Sequence, residues 1–117
     1  MKNIEQNIQT AVVKYLRFAH KDCLFTNTLG GVRLVTWKQR NLLKSTGYRK
    51  GVSDLLILEP NKKYYGLFLE IKKPKGIISK EQKEFLIEAN KRNYYAVVCF
   101  GFDECLQTIE QYFKNKL

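Results

Sequence analysis

Gly51-Val52-Ser53-Asp54-Leu55-Leu56-Ile57-Leu58, read with Leu67-Phe68-Leu69-Glu70-Ile71-Lys72, decides the fold of this chain. The two runs are apolar and β-rich, and Glu59-Pro60-Asn61-Lys62-Lys63 lies between them. Pro, Asn and charge between such runs signal a hairpin. A loop centred on Lys62 sets Leu58 opposite Gly66 and Asp54 opposite Glu70. Directly opposed residues of antiparallel strands have Cβ atoms roughly 4.5–5.5 Å apart. Alternation puts Phe68, Glu70 and Lys72 on one face and Leu67, Leu69 and Ile71 on the other. Two acids and a lysine therefore converge at one end of the hairpin.

Two neighbouring carboxylates repel, and one has its pKa raised unless a cation sits between them. Their oxygens suit a hard divalent ion such as Mg²⁺, which keeps several waters and meets substrate phosphates. Such an ion supplies a hydroxide-like nucleophile and neutralises charge building on phosphorus. Lys72, about 7 Å along the strand from Glu70 on the same face, is placed to position the attacking water or stabilise that charge. The plain alternative is a surface ion pair of Lys72 with Asp54 or Glu70, of small energetic consequence. Spacing alone leaves both open, because acid-x-Lys on a strand is common.

Three pieces then follow in order: Gly51-Val52-Ser53-Asp54, Glu70-Ile71-Lys72-Lys73-Pro74, and Ser79-Lys80-Glu81-Gln82 opening a helix. Together they read Gly-x-x-Asp, Glu-x-Lys-x-Pro and Ser-x-x-Gln. This ordered set resembles the VRR-NUC family, a branch of the PD-(D/E)XK nuclease superfamily, and each piece alone is a weak signal. The resemblance implies an α/β, restriction-endonuclease-like core in αβββαβ order, a mixed sheet flanked by helices. It also implies a Mg²⁺- or Mn²⁺-dependent, structure-selective endonuclease that cuts Holliday junctions or other branched DNA as a homodimer. Recombination, repair and viral genome processing are the natural settings. In that scheme Asp54, Glu70, the Ile71 carbonyl and Glu5 hold the metal. Lys72 activates or stabilises, and Gln82 and Glu5 support it. Ser53 departs from the pattern, since many relatives have proline before the first acid; only the turn geometry is touched. One site per chain calls for a two-fold dimer if two strands are cut symmetrically.

At 117 residues the chain reads as one domain over residues 1–117. It is 44% hydrophobic. No apolar run approaches the ~20 residues that cross a membrane, so a soluble globular protein with no membrane partner is expected. Met1-Lys2-Asn3 leads into an amphipathic stretch rather than a signal peptide. Cys23, Cys99 and Cys105 lack metal spacing and are odd in number, which points to reduced thiols in an intracellular, cytoplasmic protein. His20 is the sole histidine, so a histidine-rich metal site or a Ser-His-Asp triad is hard to build. It reads as a solvent-side residue near a helix end. The 21 Lys and Arg against 11 Asp and Glu give a net charge of +10, the footprint of a phosphate-backbone binder. A ribosome-associated or membrane-surface protein would show the same balance.

Residues 3–20 read as a helix capped by Asn3, with Gln6 in the capping-box position. Ile4, Ile8, Ala11, Val12, Tyr15 and Ala19 form its apolar stripe. Glu5 projects only ~20° from Val12 on a helical wheel, so it lies on the stripe's edge. It is either a third acid of the site or a favourable charge at the helix's positive end. Cys23 to Asn27 reads as a short strand, Thr28 to Gly31 as a turn and Val32 to Val35 as a brief strand or loop. Thr36 caps a short helix, Trp37 to Thr46, closed by Gly47.

Arg33, Lys38, Arg40, Lys44, Arg49 and Lys50 fall in residues 33–50 with no acid among them, and Trp37 and Tyr48 interleave. That mixture suits phosphate contact and base stacking, so these cations, with Lys73 and Lys75 beyond the strand, are assigned to DNA. The plain alternative is a solvated helix face with Trp37 in the core. Pro74 marks the strand's exit, and Ser79 caps a helix to about Asn93 with Gln82, Phe85, Leu86 and Ala89 on one face. Gln82 serves as capping-box partner, active-site residue, or both. Tyr94 to Phe100 is a buried strand and Gly101 a turn. Asp103 caps a last helix whose core stripe is Cys105, Leu106, Ile109, Tyr112 and Phe113. Tyr64, Tyr65, Tyr94 and Tyr95 read as packing residues. Two other functions compete: a basic nucleic-acid-binding module that does not cleave, and another superfamily nuclease acting on duplex DNA or RNA. A pure binder has no use for clustered acids beside phosphate.

Overall fold

The computed structural model describes residues 3–28 and 36–117. Its elements are α1 (Ile4–Ala19), β1 (Phe25–Asn27), α2 (Trp37–Ser45), β2 (Leu55–Ile57), β3 (Leu67–Lys72), α3 (Lys80–Lys91), β4 (Tyr95–Phe100) and α4 (Phe102–Phe113). The four strands form one sheet in the order β1-β2-β3-β4. The first two pairings are antiparallel, and β3 and β4 are parallel, so the sheet is mixed as expected.

The hairpin takes the register set by a loop centred on Lys62. Leu55 pairs with Leu69, Leu56 with Phe68 and Ile57 with Leu67. Carried one residue further, that register sets Asp54 opposite Glu70. β2 is shorter than its apolar run, although the Leu58 N–H still donates to the Leu24 carbonyl at 2.8 Å, in line with the β1–β2 register. Asn61 organises the loop: its side-chain Oδ1 accepts from the Lys63 and Tyr64 N–H groups, and its side-chain Nδ2 donates to the Tyr112 carbonyl.

Strand alternation divides the core into two layers. Leu67, Leu69 and Ile71 join Val12 and Leu16 of α1 and Cys105, Ile109 and Tyr112 of α4 on one side of the sheet. Phe68 packs with Leu86 and Ala89 of α3 on the other. Each fully buried aliphatic side chain contributes about 1.5–3 kcal/mol, so the larger layer under α1 and α4 carries most of the stability. Glu70 and Lys72 share the face of Phe68, which delivers them toward the start of α3. The tyrosines pack as expected, Tyr64 edge-on to Tyr95 and Tyr94 stacked on Phe68, although Tyr65 stays exposed.

Helix ends follow their capping chemistry with one correction. Asn3, Thr36 and Ser79 accept from the N–H three residues on, and Thr36 and Ser79 form full capping boxes. The last helix is instead preceded by Gly101, with no side-chain cap, and Asp103 lies inside its first turn. The cause is the tight link from β4. Gly101 has φ +91 and its N–H donates to the Lys72 carbonyl at 2.9 Å, so the helix starts as the strand ends.

Two further expectations change. His20 is not a bystander: its ring stacks on Phe113 at 4.3 Å, and its Nε2 lies 2.6 Å from Glu110, which also accepts from the Tyr15 hydroxyl. Trp37 is 78% exposed, which removes the reading that it fills the core, and α2 buries no residue at all. Arg33, the glycine turn and the Val32 to Val35 segment lie outside the described residues.

Candidate active site

The site is built at the end of β3, where three separate parts of the chain meet. Glu70 is 2% exposed, a position that needs a reason for a charged residue. Its Oε2 accepts from the Gln82 amide at 2.9 Å, but its Oε1 is buried without a hydrogen-bond partner among the described residues. Asp54 stands beside it and is held by the Ile71 backbone N–H, which donates to Oδ2 at 2.7 Å. Burial first, and then the neighbouring Asp54 carboxylate, push the Glu70 carboxyl up to about 9, with Lys72 opposing the shift. Asp54 is also raised, chiefly by burial, while the Ile71 N–H, the contact with Glu70 and the charge of Lys72 pull it back. Without a cation, such a pair keeps a proton between its two carboxyls.

Gln82 has both roles the sequence allowed. Its side-chain oxygen accepts from the Ser79 N–H at 2.8 Å, completing the capping box, while its amide nitrogen faces Glu70. The start of α3 is pressed there by Gly51, at φ +90. A Cβ on Gly51 would lie 2.4 Å from the Glu81 carbonyl carbon and 2.7 Å from the Gln82 nitrogen. Only glycine lets this segment approach the helix so closely. The glycine of Gly-x-x-Asp therefore sets the distance between Asp54 and Gln82. The motif names it, but its contact with α3 spans 30 residues and has no local signal. Ser53 is fully buried; its carbonyl accepts from the Thr28 hydroxyl at 2.6 Å, which ties the first acid's segment to β1.

Lys72 ends β3 half-buried, near enough to both acids to lower their pKa values. Its ammonium makes no ion pair within 4.0 Å among the described residues, so the simple surface pair is not what places it there. Glu5 sits at the rim. It lies in the first turn of α1, and its Oε2 accepts from the Lys73 N–H at 3.1 Å, bracing the Lys73-Pro74-Lys75-Gly76 turn that takes the chain out of β3. Ile71 meets the site through its N–H. No three His, Cys, Asp or Glu side chains gather about one point among the described residues. The close acid pair is Asp54 and Glu70, with Glu5 lining the same cleft as Asp54.

The expected basic residues divide by position. Lys73 and Lys75 are exposed on the turn beside the acids, and Lys75 has φ +65. Lys50 lies 3.9 Å from Glu81 on the first turn of α3, and the Arg49 guanidinium sits 5.8 Å over the Phe85 ring. Lys38, Arg40 and Lys44 are displayed on α2. Arg17 and Lys21 were not singled out in sequence, yet they line the cleft that contains Asp54 and Glu5. The available signal was that residues 6–21 hold Lys14, Arg17 and Lys21 and no acid.

A mixed four-stranded sheet between helices, with an acid pair and a lysine at the end of its central strands, defines a PD-(D/E)XK-like nuclease core. The model of the VRR-NUC domain matches residues 2–103, and the chain belongs to that family. A solved structure described as a VRR_NUC domain protein superposes with a TM-score of 0.80 at 26% identity, over 97% of this chain and 92% of that one. Comparison with curated proteins gives no significant match.

Proposed function

We propose that this chain is a divalent-metal-dependent endonuclease that hydrolyses phosphodiester bonds in branched DNA, Holliday junctions above all, as a homodimer. The observation that carries the hydrolytic reading is the buried Glu70 against Asp54, with one carboxylate oxygen left without a partner. A fold that only bound DNA would gain stability by replacing that pair. The residues fit a hard cation: two carboxylates, one orphaned oxygen, and room for water in the adjoining cleft. Asp54 and Glu70 would hold Mg²⁺ or Mn²⁺, with the Ile71 carbonyl and Glu5 contributing at its edge. Bound there, the ion lowers the pKa of a water and offsets charge on the phosphate.

The chain's own groups do the rest. The Ile71 N–H fixes Asp54, and Gln82 fixes Glu70, so neither carboxylate has to reorganise during reaction. Lys72, uncommitted to either acid, is free to orient the attacking water or meet the developing negative charge. Lys73 and Lys75, on the turn beside the acids, take flanking phosphates, and Lys38, Arg40 and Lys44 on α2 with Trp37 hold more distant DNA. Junction preference and the two-fold dimer rest on the family and on a single acid pair per chain among the described residues.

The test is cleavage of labelled four-way junction, flap, duplex and single-stranded DNA with Mg²⁺ or Mn²⁺, using wild type, Asp54→Ala and Lys72→Ala. Metal-dependent cutting, greatest on the junction and reduced at least ~10²-fold in both variants, is expected. Junction binding with no product in either metal would replace the nuclease by a binding module. Products from plain duplex or RNA alone would move the substrate class.

A further inference from the structure

Between one flank of α1, beside its buried stripe, and β1 runs a cleft of about 710 Å³. Glu5 and Asp54 lie at one end and Arg17 and Lys21 at the other, with Gln9 and Asn27 among the side chains between them. At 1.5 Å per residue, Glu5 to Arg17 is about 18 Å along the helix. The walls are mainly amide, hydroxyl and charged groups, unlike the apolar walls of a small-molecule pocket. Arg17 and Lys21 are exposed and pair with no acid among the described residues. Their charge is therefore available to a ligand rather than spent within the fold.

We infer that this cleft is a guide for one strand of nucleic acid, carrying it from the acid pair toward Arg17 and Lys21; the inference rests on the nuclease reading of that pair. Three observations select this occupant. The cations stand at the end away from Glu5 and Asp54, so a polyanion entering the cleft is held at a distance from those two carboxylates. Amides in the middle contact sugar and base edges without demanding a sequence. At about 18 Å from Glu5 to Arg17 the cleft has the length of a few nucleotides of an extended strand. A second copy of a chain with charge +10 gains nothing by placing its surface against Arg17 and Lys21. The cleft also supplies a physical reason for substrate shape to matter: a branch point offers a strand that leaves the duplex, and an unbroken duplex does not.

The experiment measures binding without divalent metal, so cleavage does not enter. A forked duplex with one single-stranded arm, and the same duplex with the arm removed, are titrated over a range of salt. Wild type is compared with Arg17→Ala/Lys21→Ala and with the charge-matched control Lys62→Ala/Lys63→Ala, whose side chains project from the hairpin loop. All four residues are exposed, and thermal melts confirm that both doubles fold. Loss of two single-strand phosphate contacts lowers the slope of log K against log salt by about 1.4. That drop is expected for the Arg17/Lys21 double on the armed fork, and not without the arm or in the control. Equal slopes in the two doubles, or an equal drop with and without the arm, would overturn the guide. These results separate the two readings. Equal slopes in a protein that still cleaves sink only the guide, whereas a normal drop in a protein that never cleaves sinks only the nuclease.

Discussion

The acid end of β3 and the basic helix α2 are built in opposite ways. Glu70 is almost wholly buried and Asp54 is partly so, and each is bonded to a group on another segment: Gln82 from α3, the Ile71 N–H from β3. The helix α2 has a complete capping box and no buried residue. Chemistry on a phosphate needs a few groups held in one geometry, so the fold spends core positions on them. Attraction to a phosphate backbone tolerates variation in position, and under the proposed function an exposed helix would meet it with local capping alone. The two glycines that precede the first acid show the same contrast. Gly47, which closes α2, has φ +105 and open space around its Cβ direction, whereas Gly51 has φ +90 and α3 against it.

Substitution of those glycines gives the sharpest contrast. Gly51→Ala forces the start of α3 away from Asp54 and is expected to lower cleavage by ~10²-fold, with a clear fall in melting temperature. Gly47→Ala suffers only the left-handed backbone penalty, about 1–2 kcal/mol, and should retain kcat. Equal effects in urea melts and cleavage assays would erase the distinction between the two regions. Next in size is Gln82→Ala, which removes the support of Glu70 and one capping bond. Activity should fall about 10–100-fold, while stability falls by only ~1 kcal/mol. An activity loss no larger than the stability loss explains would reduce Gln82 to a cap.

The pH dependence of stability is a third test. Glu70 has its folded pKa raised to about 9 against an ordinary value of 4.5, and Asp54 shifts the same way. The folded state therefore binds more protons than the unfolded state between those values. Stability of the metal-free protein should be fully present below pH ~4.5 as far as Glu70 is concerned, and decline as pH rises toward ~9. Glu70→Gln, which has nothing to titrate, should flatten that decline in urea midpoints measured across this range. A wild-type curve already flat would mean the acids are not held together. The smallest effect belongs to α2: Trp37→Ala should change stability by less than ~0.5 kcal/mol while weakening DNA binding by about 1–3 kcal/mol. A large loss of stability would show that α2 packs as tightly as the site does.

Much of this was legible in sequence, and the residues show why. The register about Lys62 follows from turn chemistry and strand alternation, both local, and it sets Asp54 opposite Glu70. Thr36 and Ser79 announce their helices as N-caps, and the exposed α2 is consistent with its acid-free run of charge. The hidden features depend on distant parts of the chain. Gly51 meets Glu81 and Gln82, His20 meets Glu110 and Phe113, and the cleft of Arg17 and Lys21 needs β1 to form its second wall. Asp103 was misassigned as a cap because its residue type is right, while the bond from Gly101 to Lys72 that starts the helix earlier is a contact between strands. The role of Arg33 falls outside the described residues.

The central claim is that Asp54 and Glu70 are kept together for a divalent cation. Titration calorimetry with Mn²⁺ near neutral pH, repeated in buffers of different ionisation enthalpy, tests it without any nucleic acid. The wild type should bind the ion and release close to one proton, because Glu70 must give up the proton that burial and Asp54 make it hold. Asp54→Asn should lose most of that heat. Absence of binding, or binding unchanged in Asp54→Asn and free of proton release, would contradict the account.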